Sequence, residues 1–463
     1  MKLMVQYFEW YVNKEDNLWI KLENDADLLK ELGVTHVWMP PAYKGKSGDA
    51  DSGYGVYDLY DFGEFDQKGA VRTKYGTKEE YEQALVALDK RNIYAIADIV
   101  LNHKIGADYT EKVLAYEHDE LKRNVIVAKK EIEAWTGYHF CARENKYSSF
   151  TWNKKHFTSV DFDNLEKRSG LFRFNDKEWA SNIDEELTNY DYLMGADVDF
   201  SNSEVVDHYN EWGNWYTSNF LIDGFRLDAV KHIDFNFFSQ WLTNMRKHRD
   251  LFVVGEYWSS DLRALNNYLM ETEFSMTLFD VPLHFNLYDA SVLKESYDLR
   301  TIFNGTLVLN HSNYAVTFVD NHDTQEGQSL ESMIEPWFRD IANAFILLRD
   351  KGIPCVFYKD LYEKNVQTMM KLRSSITSSR FDYFDEHNCV GWSYANPHSL
   401  AVLISNKDTR FKKMFVGKEH AHETFVDVLN NCEEEVVIDE KGIGMFKVNR
   451  QSISIYTKKG RIQ

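Results

Sequence analysis

Apolar and polar positions along this chain alternate between two rhythms over most of its length. Short runs dense in β-branched and aromatic residues predict strands at 3–10 (LMVQYFEW), 34–40 (VTHVWMP), 93–102 (IYAIADIVLN) and 221–228 (LIDGFRLD). Four more follow at 251–256 (LFVVGE), 274–281 (FSMTLFDV), 314–320 (YAVTFVD) and 352–358 (GIPCVFY). Between most of them, segments 19–33, 77–92, 203–220, 236–248 and 333–352 repeat their apolar residues every three to four positions, as helices with one buried face do. Eight strands alternating with helices predict an α/β fold, a parallel (β/α)8 barrel whose strands are covered on both faces.

Two stretches depart from that rhythm. Between the third and fourth strands lie about a hundred residues that are polar, aromatic and rich in Asp and Asn. A structureless loop of that length is improbable, so an inserted subdomain on the C-terminal face of the barrel is expected. After residue 381 the helical period stops, and CVGWSYA, SLAVLIS, KMFVG, TFVDVL, EVVID and SISIYT read as short strands of an antiparallel β-sandwich. The expected division is barrel over 1–103, insertion over 104–207, barrel again over 208–381, and sandwich over 382–463.

Composition adds exclusions. The chain carries 73 acidic against 53 basic residues, a formal charge of −20, which repels phosphate backbones and anionic membranes. Neither nucleic acid nor a membrane is an expected partner. Cys141, Cys355, Cys389 and Cys432 have no CxxC or CxH spacing, so neither a thiolate metal site nor a disulfide framework is indicated. The opening MKLMVQYFEWYV lacks the apolar core and cleavage site of a secretory leader, and no run reaches the roughly 18 apolar residues of a membrane span. A cytoplasmic monomer is the resulting expectation. Aromatic residues make up 15%; most belong to the core, but a few lining a cleft would suit flat amphipathic ligands such as sugars.

In a barrel enzyme the reactive groups stand at the C-terminal strand ends. Here those ends read DIVLNH (98–103), GFRLDAVKH (224–232), VVGEYW (253–258) and FVDNHD (318–323). Strand periodicity puts Arg226 and Asp228 on one face, where the guanidinium favours an ionised, nucleophilic carboxylate. Glu256 follows an apolar run that would hold its proton, as a general acid requires, and Asp323 adds a third carboxylate. Alone, the Arg226–Asp228 pair could be a structural ion pair. With Glu256 and Asp323 it becomes the pair of unlike carboxyls that glycoside hydrolysis uses. Metal-dependent amidohydrolysis would want HxH at the first strand, where VQYFEW offers Gln6 and Glu9 instead. A catalytically dead glucan-binding protein would lack one of the three carboxylates, and all are present.

These four strand ends resemble the conserved regions of the α-amylase superfamily, glycoside hydrolase family 13. QYFEWY, YGVYDLYDFGEF, RTKYGTKEEYEQA, NYDYLMGADVDF and DVPLHFNLYDAS extend the resemblance to its bacterial liquefying subgroup along nearly the whole chain. The resemblance implies retaining endo-hydrolysis of α-1,4-glucosidic bonds in starch, glycogen or maltodextrins, with transglycosylation or maltogenic exo-action as alternatives. It assigns Asp228 as nucleophile, Glu256 as acid/base and Asp323 as transition-state stabiliser. Arg226 would orient Asp228, His103 and His322 would bind sugar hydroxyls, and Tyr57 would be the stacking platform. Lys231, His232 and Trp258 would contact the leaving side. It also implies a structural Ca²⁺ held by Asn102, Asp191, Asp197 and the backbone carbonyl of His232, although NYDYLMGADVDF by itself could equally be a solvated acidic loop. Relatives with further ions use additional aspartates. Here Ala180 and Ser201 stand at two such places, Asp161 and Asp199 remain, and a single ion is expected.

Overall fold

A closed barrel is what continuous apolar runs between amphipathic helices require, and it forms. The computed structural model describes residues 1–247, 249–376 and 379–461. Its eight parallel barrel strands are Met4–Gln6, His36–Met39, Tyr94–Ile99, Gly224–Leu227, Phe252–Gly255, Thr277–Phe279, Ala315–Phe318 and Ile353–Val356. The first strand pairs with the eighth, Met4 opposite Cys355 and Val5 opposite Val356, so no edge is left open. All eight expected strands are present but shorter at their ends. Leu221, for example, is exposed and precedes the ladder, while Asp228 falls one residue past it.

Helices Leu18–Glu31, Lys78–Asp89, Ser203–Asn219, Phe235–Met245 and Arg339–Leu347 occupy the five periodic segments. His248, the last residue of the segment expected at 236–248, lies outside the described residues. The second helix starts at a capping box: Thr77 accepts from the Glu80 N–H while Glu80 accepts from the Thr77 N–H. In the segment 333–352 Pro336 opens only a short turn, Pro336–Phe338, and the α-helix begins at Arg339. Helices Leu262–Glu271, Val281–Leu293 and Lys364–Leu372 were not expected. Val281–Leu293 has apolar residues nearly all round, so it offers no face to detect.

The insertion after the third strand is a six-stranded antiparallel sheet in the order His103–Lys104, Ala196–Val198, Phe157–Asp163, Arg168–Phe174, Tyr109–His118, Ile126–Gly137. Its first strand continues directly from the barrel rim and pairs His103 with Asp197, which brings the insertion to the strand ends. The C-terminal part is the expected antiparallel sandwich. A six-stranded sheet faces the two-stranded ribbon Arg410–Phe415 and Ile443–Val448, with Ala401, Leu403, Phe425 and Tyr456 packed against Met414, Phe446 and Val448. Trp392 and Tyr394 donate to the Leu348 carbonyl at 2.7 and 3.2 Å and fasten it to the barrel.

Candidate active site

The fourth strand delivers Arg226 fully buried, directly opposite Asp98 on the third strand. A lone buried guanidinium would cost several kcal/mol. This one is surrounded by acids. Nη1 donates to Asp98 Oδ1 at 3.0 Å and to Asp228 Oδ1 at 2.5 Å, while Nη2 lies 3.0 Å from Glu256 Oε1. Backbone bonds fix the carboxylates: the Asp228 N–H donates to the Ile99 carbonyl, and the Glu256 N–H to that of Leu227. Ala229 takes a left-handed φ of 50°, and its N–H donates to Glu256 Oε2 at 3.1 Å. The backbone after Asp228 is thus bent so that one residue carries a carboxylate and the next holds the other.

One cation cannot neutralise so many acids. Burial, with Asp228 and Asp323 nearby, pushes Glu256 up to about 8 despite the pull of Arg226. Asp323 rises to about 7 and Asp98 to about 6 for the same reasons, burial first and neighbouring carboxylates after it. At neutral pH the cluster therefore keeps a proton on Glu256.

Asp98 was not among the expected site residues. Its signal was an acid inside an apolar run, the same signal that singled out Arg226 and Asp228. Trp38 Nε1 and the Tyr54 hydroxyl complete its shell at 2.9 and 2.7 Å. His322 is buried and held neutral by burial and by Arg226. Its Nδ1 is 3.1 Å from the Gln6 amide and its Nε2 3.3 Å from Asp323 Oδ2. The His322 ring stacks on Tyr54 at 5.0 Å, and Trp10 lies parallel to both. His103 Nε2 meets the Tyr54 carbonyl at 2.9 Å, and burial lowers its pKa against the opposing pull of Asp228.

Tyr57 is placed differently from the expectation. Its hydroxyl donates to Asp108 at 2.9 Å and its ring packs on Tyr138 and Phe140 in the insertion. The ring beside the carboxylates is that of Tyr54, three residues earlier, which bonds Asp98 and stacks on His322 while Tyr57 turns toward the insertion. On the other side of the cluster Lys231 donates to Glu186 Oε2 at 2.8 Å and to the Trp258 carbonyl at 3.1 Å. His232 Nδ1 meets the Tyr190 carbonyl at 2.7 Å, and burial lowers its pKa to about 3. Trp258 is half-buried against His284, Phe285 and Phe318.

Residues 22–392 match the family model described as "Alpha amylase, catalytic domain", and 400–457 match "Alpha-amylase C-terminal". The chain belongs to the α-amylase family. It is 45% identical to the α-amylase of Bacillus licheniformis over 98% of this chain and 93% of that one. It is likewise 45% identical to the glucan 1,4-alpha-maltohexaosidase of Bacillus sp. (strain 707), over 98% and 92% of the two chains. To the cytoplasmic α-amylase of Escherichia coli (strain K12) it is 38% identical over 98% of both. The chain is a glycoside hydrolase of this family.

The family generally depends on calcium. Among the described residues no group of three or more His, Cys, Asp or Glu forms a metal cage. Hard Ca²⁺ also takes amide and carbonyl oxygens, however. Asn102 is buried with neither Oδ1 nor Nδ2 hydrogen-bonded to any described residue, and its carbonyl accepts from the Val198 N–H beside Asp197. Asp197 is raised well above the usual carboxylate range by burial and by Asp191, and burial pushes Asp191 up to about 7. Two buried carboxylates that repel each other next to an unsatisfied amide oxygen match a bound hard cation.

Proposed function

We propose that this chain hydrolyses α-1,4-glucosidic bonds within starch, glycogen or maltodextrins, with retention of the anomeric configuration. The observation that carries the reading is one guanidinium shared between Asp228 and a Glu256 that stays protonated near neutrality. Sharing Arg226 keeps the two carboxyls close, which supports the retaining class over the wider spacing that admits a water between them. Glu256 protonates the glycosidic oxygen while Asp228 attacks the anomeric carbon. Glu256, now a base, takes a proton from water, which opens the covalent intermediate. Asp323, His103 and His322 hold hydroxyls of the reacting sugar, with Tyr54 rather than Tyr57 as its platform. Lys231, His232 and Trp258 line the leaving side.

Asn102, Asp191, Asp197 and the His232 carbonyl would hold one Ca²⁺, which supplies rigidity where residues 104–207 meet the barrel. A single ion is supported by Lys177, whose ammonium lies 2.5 Å from Asp199 Oδ2, while Asp161 is engaged by the Gly195 N–H at 3.1 Å. A protein cation thus occupies the place where further ions would need free aspartates. No helix among the described residues is long and apolar enough to cross a membrane. A cytoplasmic site of action on stored or imported glucan is the location we favour, as for the Escherichia coli relative.

Digestion of maltoheptaose followed by NMR and chromatography tests the reading. Newly formed ends should appear first as the α-anomer, with products of several lengths. First appearance of the β-anomer would overturn it. The maltohexaosidase relative favours a second reading, release of products of one preferred length, and the same chromatogram separates the two.

A further inference from the structure

The first barrel strand, Met4–Gln6, ends on a buried amide where a barrel interior ordinarily takes an apolar side chain. The ladder sets Gln6 opposite Trp38 on the second strand. Both meet His322: Gln6 Nε2 stands 3.1 Å from Nδ1 of the ring, and Trp38 lies edge-on to it at 5.6 Å. Gln6 Oε1 has no hydrogen-bond partner among the described residues. A methionine of similar volume would fill the place at lower cost, since an amide buried with its oxygen unpaired is destabilising. What the amide does is turned toward the imidazole.

The His322 ring is held in place. Phe8 and Tyr54 lie at 5.0 Å and Trp10 at 6.0 Å from it. The backbone that carries it is pinned where Asn321 Oδ1 accepts from the N–H groups of Asp323 at 2.8 Å and Thr324 at 3.0 Å. Burial and then Arg226 keep the ring neutral, so one nitrogen carries a proton and the other a lone pair.

Which nitrogen carries the proton matters, because Nε2 is 3.3 Å from Asp323 Oδ2. A proton on Nε2 gives that carboxylate a donor. A lone pair on Nε2 would repel the carboxylate or require it to keep a proton of its own. The far edge of the ring decides between the two. With the Gln6 N–H donating to it, Nδ1 supplies the lone pair and the proton is left to Nε2. The opposite setting of the amide, oxygen toward Nδ1, would turn the lone pair of Nε2 on Asp323.

We propose that Gln6 is a positioning residue of the reaction: it fixes the tautomer of His322 so that Nε2–H faces Asp323 and holds that carboxylate ready beside the reacting sugar. Gln6 acts through the ring and not on the sugar itself. The benefit to catalysis rests on the proposed glycosidic reaction, whose oxocarbenium-like transition state is stabilised by a nearby negative charge. The tautomer does not rest on it.

The test uses the full-length enzyme labelled with ¹⁵N at histidine. Protonated and bare imidazole nitrogens differ widely in ¹⁵N shift, and the His322 pair is assigned by its loss in His322→Asn. The unmodified enzyme should show a protonated Nε2 and a bare Nδ1, and Gln6→Met should convert this to a mixture of tautomers. On maltoheptaose, Gln6→Met should lower kcat by about tenfold and change KM by no more than about twofold. Introduced into His322→Asn, the same change should cost no more than about twofold, because the amide then has no ring to act on. A protonated Nδ1 in the unmodified enzyme, a tautomer indifferent to Gln6→Met, or an equal loss of kcat with and without His322 would each overturn the proposal. The spectrum needs no turnover, so failure of the catalytic reading shows separately, as an unmodified enzyme that leaves maltoheptaose intact.

Discussion

Arg226 Nη2 and Glu256 Oε1 stand 3.0 Å apart without the alignment of a hydrogen bond. Close charge without alignment gives Glu256 part of the benefit of a cation and none of the directional bond that would fully ionise it. Burial and the neighbouring acids then win, and the carboxyl stays near 8.

The first consequence concerns pH. The kcat/KM profile should fall along an alkaline limb centred near 8, as Glu256 loses the proton it must deliver. Stability moves with it. The folded pKa lies above the unfolded value of about 4.3, so the folded state binds more protons between the two, and stability declines as pH rises through that window. Glu256→Gln should abolish activity, by roughly a thousandfold or more, yet melt at a higher temperature than its parent at pH 9, with the gap narrowing at pH 5. Calorimetric scans at both pH values check this.

Removing the shared cation should do the reverse. Arg226→Met leaves Asp98, Asp228 and Glu256 buried without their cation, and a loss of about 3–5 kcal/mol is expected in urea unfolding. Arg226→Lys keeps the charge but not the planar fork, so kcat/KM should still drop by about a hundredfold.

Tyr54 and Tyr57 can be separated by single-atom changes. Tyr54→Phe removes a 2.7 Å bond to Asp98 and should cost kcat/KM roughly ten- to a hundredfold, the worth of a charge-assisted hydrogen bond. Tyr57→Phe loosens only Asp108 in the insertion and should leave kcat within about threefold while lowering the melting temperature. Equal kinetic losses in both would remove the distinction.

Chelation supplies the fourth prediction. Free calcium at a hundred times its Kd stabilises a folded protein by about 2.7 kcal/mol, so EDTA should lower the melting temperature and calcium restore it. Asp197→Asn should melt low and show little response to either.

The barrel was legible because parallel strands buried on both faces leave uninterrupted apolar runs, and Arg226 with Asp228 stood out by their spacing of two. Asp98 lay in the same kind of run but went unassigned. Its meaning comes from standing opposite Arg226 on a strand more than a hundred residues away, a register that no local pattern reveals. Tyr54 and Tyr57 share one loop motif, and no periodicity says which of two loop tyrosines turns inward. Helix Val281–Leu293, apolar around its circumference, and strand Ile443–Val448, whose outward Ile443 and Met445 are as apolar as its buried Phe446 and Val448, lacked the contrast between faces that periodicity detects.

The first barrel strand closes against the eighth and carries Gln6 to the ring of His322. A ribosome delivers these partners far apart in time: at about 5–20 residues per second, the wait from Gln6 to Val356 is on the order of tens of seconds. Until then the leading strand has one open flank and His322 lacks its amide neighbour. The nascent chain therefore passes most of its synthesis without the means to cut a glucan, and hydrolytic competence arrives only with the last turn of the barrel.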